Sequence, residues 1–344
     1  MNFASDNAYG VLPEILAALA QTGQGAALPY GDDAATRALA QRFATLFERE
    51  LAIFPVLTGT AANALALATL VPPHGAILCH QDSHIMVHEC GAPEFFTHGA
   101  RLQGLAGAQG KLSPASLEAA LKQWPWGDVH VVQPFAVSLS QPTELGTIYS
   151  RAEIAQIAAL AHAHGLKLHM DGARFGNAVA ALACSPAEAS WKCGVDVLSF
   201  GASKGGALAA EAVLFFDPAD ARDFAYRRKK AGHLASKMRF LSAQLSAFVD
   251  KGLWLEKAAR ANALAARLGE GLAARGVTVT APVETNMVFA ELSLPAAARL
   301  RAGGALFFDR TKASRDDHTV ARLVTSFATP EDDVAKFLTL LDAA

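Results

Sequence analysis

Short apolar runs alternate with longer mixed stretches from about residue 30 to residue 216. The apolar runs predict buried strands at Ile53–Leu57, Ala76–Cys79, Val129–Val132, Leu166–Met170, Val195–Phe200 and Ala212–Phe216. Helix signals stand between several of them: Ser150 and Glu153 have capping-box spacing, Pro114 follows Ser113, and Gly165 suits a C-terminal cap. Continuous apolar strands separated by helices indicate an α/β fold, with a mainly parallel sheet covered on both faces.

The pattern changes near residue 220. One long helix is predicted over Asp220–Asp250 and another over Leu253–Arg275. Shorter elements follow, namely strands at Val277–Thr280, Met287–Leu292 and Val320–Ser326 and a helix at Asp332–Leu341. These changes predict a large domain at residues 26–250 and a smaller α+β domain formed by residues 1–25 and 251–344.

Composition narrows the classes of function. The 344 residues suggest about two domains, and 52% hydrophobic against 18% charged residues excludes intrinsic disorder. A net charge of −2 gives no general attraction to nucleic acid or to an anionic membrane, so neither is an expected partner. The uncharged stretch 52–71 is interrupted by Pro55 and Gly59, which favours a strand, a turn and a helix over a membrane span.

The spacing of the cysteines and the N-terminal sequence indicate the cellular compartment. No two of the four cysteines have Cys-x-x-Cys spacing, which argues against a disulfide scaffold or a zinc knuckle. The first residues lack the basic region and apolar core of a signal peptide. We therefore expect a protein of the reducing cytoplasm.

Chemistry-bearing residues follow several predicted strands, where α/β sheets bind ligands. Asp171 directly follows one strand, and Lys204 lies in a Gly-rich turn after the next. Thr58-Gly59-Thr60 joins a strand to a helix start, where free N–H groups suit a phosphate. Together, a phosphate cradle, an Asp and a desolvated Lys could hold pyridoxal phosphate (PLP).

A set of short segments spans nearly the whole chain: Ser5-Asp6-Asn7, Tyr30-Gly31-Asp32-Asp33, Thr58-Gly59-Thr60-Ala-Ala-Asn63, Ser83-His84, His169-Met-Asp171-Gly-Ala-Arg174, Ser203-Lys204-Gly205 and Arg322-Leu-Val-Thr325. In these segments and in their order the chain resembles the low-specificity L-threonine aldolases, PLP-dependent lyases with the aspartate-aminotransferase-type fold (fold type I). The resemblance implies a seven-stranded sheet in the large domain and a homotetramer built as a dimer of dimers.

The resemblance also implies roles for individual residues. Lys204 would bind the PLP aldehyde covalently, and Asp171 would pair with the pyridine nitrogen. Arg174 would lie near the ring oxygen and the substrate carboxylate, which Ser5 and Arg322 would grip. Further contacts are implied as follows: Gly59 and Thr60 to the phosphate, His84 stacked on the ring and acting as a base, Tyr30 in the substrate pocket, and Arg228 and Lys229 reaching a neighbouring subunit's phosphate.

The implied reaction cleaves a β-hydroxy-α-amino acid, such as L-threonine or L-allo-threonine, to glycine and an aldehyde, and it can run in reverse. The physiological role is left open between threonine breakdown and glycine supply. Many family members carry a second His near the substrate β-hydroxyl, where this chain has Glu144. That departure leaves the base and the preference at Cβ open, with Glu144 as a candidate substrate contact.

Three alternatives compete with this interpretation. His80, His84 and His88 recur every four residues, as in a zinc site, but His80 ends a predicted strand, so no metal is expected. Aminotransferases, β-eliminating lyases and cysteine desulfurases share the fold type and its Lys, Asp and Arg, although Cys184 and Cys193 lie at predicted helix and turn positions. A non-enzymatic interaction protein could use the basic run 227–239, which otherwise suits a solvated helix face or a phosphate contact.

Overall fold

A computed structural model of the chain describes residues 1–313 and 315–342. The helices are α1 Pro13–Thr22, α2 Ala34–Leu46, α3 Gly59–Leu70, α4 His84–Val87, α5 Ala92–Phe96, α6 Pro114–Gln123, α7 Arg151–Ala163, α8 Phe175–Leu182, α9 Phe224–Lys230, α10 Arg239–Val249, α11 Leu253–Ala273, α12 Leu294–Ala302 and α13 Glu331–Asp342. The strands are β1 Ala52–Val56, β2 Gly75–His80, β3 Arg101–Leu105, β4 Gln133–Ser140, β5 Lys167–Gly172, β6 Val197–Gly201, β7 Glu211–Phe215, β8 Met287–Ser293, β9 Phe308–Lys312 and β10 His318–Val324.

The strands form two sheets. The larger has seven strands in the order β1-β7-β6-β5-β4-β2-β3, and only β7 runs antiparallel to its neighbours. The smaller is an antiparallel sheet in the order β8-β10-β9. The predicted architecture, a mainly parallel sheet with helices followed by a smaller α+β part, is therefore confirmed.

Helix ends follow the local sequence signals. Ser150 and Glu153 bond each other's backbone N–H groups in a capping box at the start of α7. Gly165, with φ of +72°, lies two residues beyond the last residue of that helix. Ser113 caps α6 through the N–H of Ser116. These three predictions are confirmed.

Two predictions were wrong. The run Val129–Val132 lies in turns, with Val129 93% exposed, and β4 begins after it at Gln133. The predicted helix Asp220–Asp250 is a 3₁₀ turn followed by α9 and α10, because the chain leaves α9 at Ala231 and turns through Gly232 with φ of +78°. Part of the predicted strand Val277–Thr280 makes an isolated bridge between Val279 and Ala290.

The N-terminal residues contribute to both hydrophobic cores. Phe3 packs into the core between the small sheet and helices α11 to α13, whereas Leu12 and Ile15 pack into the core of the large sheet. Helix α11 also contributes to both, through Trp254 in the large core and Leu264 in the small one. The assignment of 1–25 and 251–344 to one domain stays a prediction. The uncharged stretch 52–71 forms β1 and α3, and within the described ranges no helix is long and apolar enough to cross a membrane.

Candidate active site

A cavity of about 360 Å³ opens where β1, β5 and β6 end. Its size falls in the usual range for small-molecule sites. It is lined by Asn7, Leu57, Thr58, Gly59, Thr60, Asn63, His84, Asp171, Ala173, Ser203, Lys204, Leu208, Ala209 and Glu211. Five of the residues predicted from the sequence, Gly59, Thr60, His84, Asp171 and Lys204, therefore meet at one place, although they come from four separate segments of the chain.

The start of α3 offers hydrogen-bond donors to this cavity. The Thr58 hydroxyl caps the helix by accepting from the Ala61 N–H at 3.2 Å. The N–H groups of Gly59 and Thr60 have no hydrogen-bond partner in the described part of the chain. A side chain at Gly59 would meet open space, so this surface is accessible to a ligand. Free N–H groups at a helix N-terminus favour an anion such as phosphate.

Asp171 is held by two hydrogen bonds at the end of β5. Its Oδ1 accepts from the Ala173 N–H at 3.0 Å, and its Oδ2 accepts from Asn63 Nδ2 at 2.9 Å. The side chain is nearly buried but lines the cavity. A fixed, buried carboxylate at this place suits a cationic N–H group of a ligand.

Lys204 projects from a 3₁₀ turn that follows β6. Its ammonium group forms no ion pair with any of the residues at 1–313 and 315–342. Its charge acts on the carboxylates of Asp6 and of the buried Glu211, which accepts from the Ala202 N–H at 2.8 Å. Burial is the largest effect on Glu211 and raises the pKa of its carboxyl group. An amine with no dedicated counter-ion in a cavity is well placed to react with an aldehyde.

Two glycines allow the turn at Lys204. A Cβ at Gly201 would lie 2.3 Å from the carbonyl oxygen of Ala173, so this glycine lets the segments after β5 and β6 approach closely. Gly206 has φ of +118°, and a Cβ there would lie 2.5 Å from Leu12 Cγ. The glycines therefore bring the backbone next to Asp171 against the turn that carries Lys204.

His84 begins the short helix α4, and its ring is one-third exposed, towards the cavity. Its Nδ1 donates to Glu89 Oε1 at 2.8 Å. This hydrogen bond is the largest influence on the ring and raises the pKa of His84. Burial raises the pKa of the Glu89 carboxyl group. The second ring nitrogen, Nε2, remains available to exchange a proton with a ligand.

Arg174 is engaged by a carboxylate of the N-terminal segment. Its Nε and Nη2 donate to the two oxygens of Asp6 at 2.5 and 2.9 Å, a bidentate pair in which both side chains are buried. Asn286 Nδ2 adds a hydrogen bond to Asp6 at 3.1 Å. The predicted contacts of Arg174 with a ring oxygen and a substrate carboxylate stay a prediction, because two of its three guanidinium nitrogens already donate to Asp6.

Arg322 is a largely buried cation for which the described residues supply no counter-ion. It lies on β10, and its Nη2 is 4.0 Å from the Met287 sulfur. No carboxylate of the described segments forms an ion pair with it. Burial, with the neighbouring Arg174 and Arg310 guanidinium groups, lowers the pKa of Arg322 to about 10. A buried guanidinium is costly unless a carboxylate reaches it, which a ligand can supply.

Glu144 lies near Arg322. Its Oε2 lies 3.8 Å from Arg310 Nη2, and its charge acts on both His84 and Arg322. Glu144 therefore adds negative charge near the His84 ring and the Arg322 guanidinium. The proposed contact of Glu144 with substrate stays a prediction.

The remaining predicted residues, like Arg174, Arg322 and Glu144, do not line this cavity of the single chain. Ser5 caps a 3₁₀ turn through the Asn7 N–H at 3.1 Å. Tyr30 is 47% exposed, and the Lys229 ammonium lies 4.6 Å from the centre of its ring. Arg228 donates to the Pro55 carbonyl at 3.3 Å, and its buried Nε has no partner among the described residues. Burial lowers the pKa of Arg228 to about 10.

The histidines at 80, 84 and 88 do not share a helix. His80 ends β2 and uses both ring nitrogens, with Nε2 3.1 Å from the Gly107 carbonyl and Nδ1 accepting from the Asp82 N–H at 3.1 Å. A different trio, His84, Glu89 and Asp171, has ligand atoms within 4.8 Å of one another, as a metal site would. Hydrogen bonds among these groups and Asn63 already occupy several of those atoms.

Sequence reasoning missed four residues of the site. Asn63, Glu89, Asp6 and Glu211 are buried polar residues that hold the predicted ones in place. Asn63 and Asp6 lie inside matched segments, so their position beside predicted residues was the available signal. Glu89 and Glu211 lie outside the matched segments and gave no comparable signal.

Comparison with known proteins gives a consistent result. The family model described as β-eliminating lyase matches residues 2–295. The low-specificity L-threonine aldolase of Pseudomonas aeruginosa is 47% identical over 308 residues, which cover 89% of this chain and 88% of that protein. The corresponding protein of a Pseudomonas species is 46% identical over 308 residues, with the same coverage of 89% and 88%. The structure of Leishmania major threonine aldolase superposes with a TM-score of 0.94 at 29% identity, covering 99% of this chain and 98% of that one.

Proposed function

Because the chain belongs to the β-eliminating lyase family, among the low-specificity L-threonine aldolases, we propose that the cavity cleaves β-hydroxy-α-amino acids. The chain is a PLP-dependent aldehyde-lyase. It converts L-threonine, L-allo-threonine and related compounds to glycine and an aldehyde, and it catalyses the reverse synthesis. The observation that carries the assignment is the meeting of Gly59, Asp171 and Lys204 in one cavity.

The residues present fit PLP. The unpaired N–H groups at the start of α3 suit its phosphate, and the hydrogen-bonded carboxylate of Asp171 suits its pyridine nitrogen. Lys204 is the amine for its aldehyde, and His84 offers a ring to stack on the pyridine. When bound, PLP supplies a carbonyl that condenses with amines and a ring that accepts electrons from a broken bond at Cα.

Substrate orientation is assigned to Arg322, with Ser5 and Arg174 as further contacts to the carboxylate. A guanidinium can hold a carboxylate through two parallel hydrogen bonds, which fixes the rotation about the Cα–carboxyl bond. Holding the carboxylate at one point sets the direction of the Cα–Cβ bond relative to the ring plane. Tyr30 and Glu144 are proposed to line the space for the substrate side chain.

His84 is assigned the proton of the β-hydroxyl group. Its Nε2 is the ring nitrogen left free by the bond to Glu89, and a base with a pKa near working pH is efficient. Lys204 is assigned to donate the proton that completes the glycine product. The Asp171 carboxylate is assigned to balance the positive charge of the pyridine nitrogen.

The first experiment measures aldehyde release from L-threonine, L-allo-threonine and L-phenylserine by the purified chain supplied with PLP. Aldehyde and glycine in equal amounts are expected from at least one of them, and the rates rank the three. A yellow protein that yields no aldehyde from any of them would contradict the proposed reaction and favour transamination or β-elimination.

Replacing Arg322 by alanine should weaken amino-acid binding while PLP stays bound. A lost charge-assisted contact costs about 1.5–3 kcal/mol, so KM for L-threonine should rise by about tenfold or more. Steady-state kinetics together with the visible absorbance of the bound cofactor check this. An Arg322→Ala protein that loses its colour instead would make Arg322 a cofactor or structural residue.

The active site is proposed to be completed by a neighbouring subunit in a homotetramer built as a dimer of dimers. In support, the cavity wall includes Leu208, which is 61% exposed, and Arg228 keeps a buried Nε without a partner in the described ranges. The four free cysteines support a cytoplasmic location.

Arg228→Ala should raise the Kd for PLP by about tenfold or more, because a charge-assisted hydrogen bond to phosphate is lost across the subunit interface. Lys230→Ala, an exposed residue on the same helix, is the control. PLP binding is measured by equilibrium dialysis and oligomeric state by analytical ultracentrifugation. Unchanged PLP affinity in a tetrameric Arg228→Ala protein would remove Arg228 from the phosphate site.

A further inference from the structure

One buried carboxylate contacts two residues of the cavity wall, His84 and Asn63, and has no step of the reaction assigned to it. Glu89 follows α4, and none of its side chain is exposed. Its Oε1 accepts two hydrogen bonds, from His84 Nδ1 and from Asn63 Nδ2, each at 2.8 Å. Its Oε2 is buried without a hydrogen-bond partner in the described part of the chain. A buried carboxylate oxygen without a partner is uncommon in folded proteins, and its retention indicates a role for Glu89 toward the residues that it contacts.

The hydrogen bonds at Glu89 continue to the other side of the cavity. Asn63 Nδ2 uses its two hydrogens to join Glu89 Oε1 to Asp171 Oδ2, at 2.8 and 2.9 Å. The chain of contacts therefore runs from His84 through Glu89 and Asn63 to Asp171. It links the ring that faces the cavity to the carboxylate assigned to the pyridine nitrogen.

The backbone after Glu89 is held in an uncommon conformation. Cys90 has φ of +52°, and Gly91 follows with φ of +74°. A left-handed cysteine is costly and persists only where the surrounding structure requires it. The Glu89 carbonyl also accepts from the Ala92 N–H at 2.9 Å, at the start of α5. The backbone that follows Glu89 is therefore held in a defined conformation.

We propose that Glu89 is a positioning residue that orients the His84 ring and holds a proton on it. The inference rests on the proposed function for the step that uses His84. The carboxylate accepts from Nδ1, so it selects which nitrogen faces the substrate, and its negative charge stabilises the imidazolium. Glu89 itself touches neither substrate nor cofactor in this assignment.

The charged groups around His84 indicate the direction of the effect. Glu89, Asp171 and Glu144 all raise the pKa of the His84 ring, with the Glu89 hydrogen bond as the largest influence, whereas burial opposes them. The neighbouring His88 ring lies 5.7 Å away, and burial lowers its pKa. Removing the charge of Glu89 should therefore let His84 lose its proton at a lower pH.

The test replaces Glu89 by glutamine and, separately, by alanine. Glutamine keeps an oxygen that can accept from Nδ1 and so preserves orientation without the charge, whereas alanine removes both. Labelling with diethyl pyrocarbonate, which attacks unprotonated imidazole, is followed by peptide mass spectrometry from acidic to alkaline pH. It is applied to the full-length protein with and without added PLP. His88 provides an internal reference.

In Glu89→Gln, the pH midpoint for His84 labelling should fall by about one unit or more, the usual effect of losing an adjacent opposite charge. The acidic limb of the kcat profile should move in the same direction. Glu89→Ala should show the same midpoint shift together with a lower kcat at every pH. Asp82→Asn is the control, because this carboxylate is close in sequence to His84 but 69% exposed, and it should leave both profiles unchanged.

An unchanged His84 midpoint in folded Glu89→Gln protein would overturn the proposal and leave Glu89 a structural residue. The labelling does not depend on turnover. A wild-type protein that releases no aldehyde but shows the midpoint shift would therefore retain the role of Glu89 while the proposed function fails.

Discussion

Lys204→Ala is expected to reduce aldehyde release from L-threonine by about a thousandfold or more, because one side chain supplies both the amine for the PLP aldehyde and a proton-transfer group. Reduction with borohydride followed by peptide mapping provides a measurement independent of activity. The wild-type chain should carry PLP on the peptide containing Lys204. The Lys204→Ala protein should carry none, although the contacts at Gly59 and Asp171 can still bind PLP without a covalent bond.

The matched control for this experiment is Lys122→Ala. Lys122 is 70% exposed and pairs with Glu118 one helical turn away, so its loss should affect neither cofactor attachment nor turnover. Full activity in Lys204→Ala protein that contains PLP and no contaminating wild-type chain would contradict the assignment. Addition of a small primary amine should restore part of the activity if the missing group is the proton-transfer amine.

The sequence was most informative about buried parallel strands. The runs that became β2, β5 and β6 are almost wholly buried on both faces, because helices cover the sheet on both sides, and such mainly apolar runs stand out from their surroundings. Strand β3 has the sequence Arg-Leu-Gln-Gly-Leu at the edge of the sheet and is only partly buried, so it carries no such run. The apolar run at 129–132 lies instead in an exposed turn before β4.

The residues of the site also divide into those that the strand pattern predicts and those that it does not. Asp171 and Lys204 were predictable because adjacent parallel strands end at the same edge, which makes the distance between them a consequence of the fold. The bond from His84 to Glu89 depends instead on the left-handed backbone at Cys90 and Gly91, which local preference for cysteine opposes. The pairing of Arg174 with Asp6 joins residues 168 positions apart, so no local pattern encodes it.

Asp6→Ala is expected to lower the free energy of unfolding by about 3–5 kcal/mol, the usual cost of leaving one member of a buried ion pair without its partner. Arg174 would retain a buried positive charge, and Asn286 would lose the acceptor that lies 3.1 Å from its Nδ2. Urea unfolding of the cofactor-free protein measures the loss. Asp342→Ala is the control, because Asp342 makes an equally bidentate pair with Arg275 on the surface, where solvent screens the charges, and its loss should be much smaller.

The stability supplied by Asp6 should also depend on pH in a defined direction. Burial alone would raise the pKa of the Asp6 carboxyl group, but the Arg174 guanidinium, together with the Lys204 charge and the Asn286 hydrogen bond, outweighs burial and holds this pKa below its ordinary value. The ionised form is therefore favoured more in the folded than in the unfolded chain. Its contribution is complete above the unfolded pKa of about 3.9 and is lost as the pH falls from there through the folded pKa. The difference in unfolding free energy between wild type and Asp6→Asn should consequently stay constant from about pH 7 to pH 5 and shrink below about pH 4. A difference that persists undiminished in acid would mean that Asp6 stabilises the fold through packing rather than through its charge.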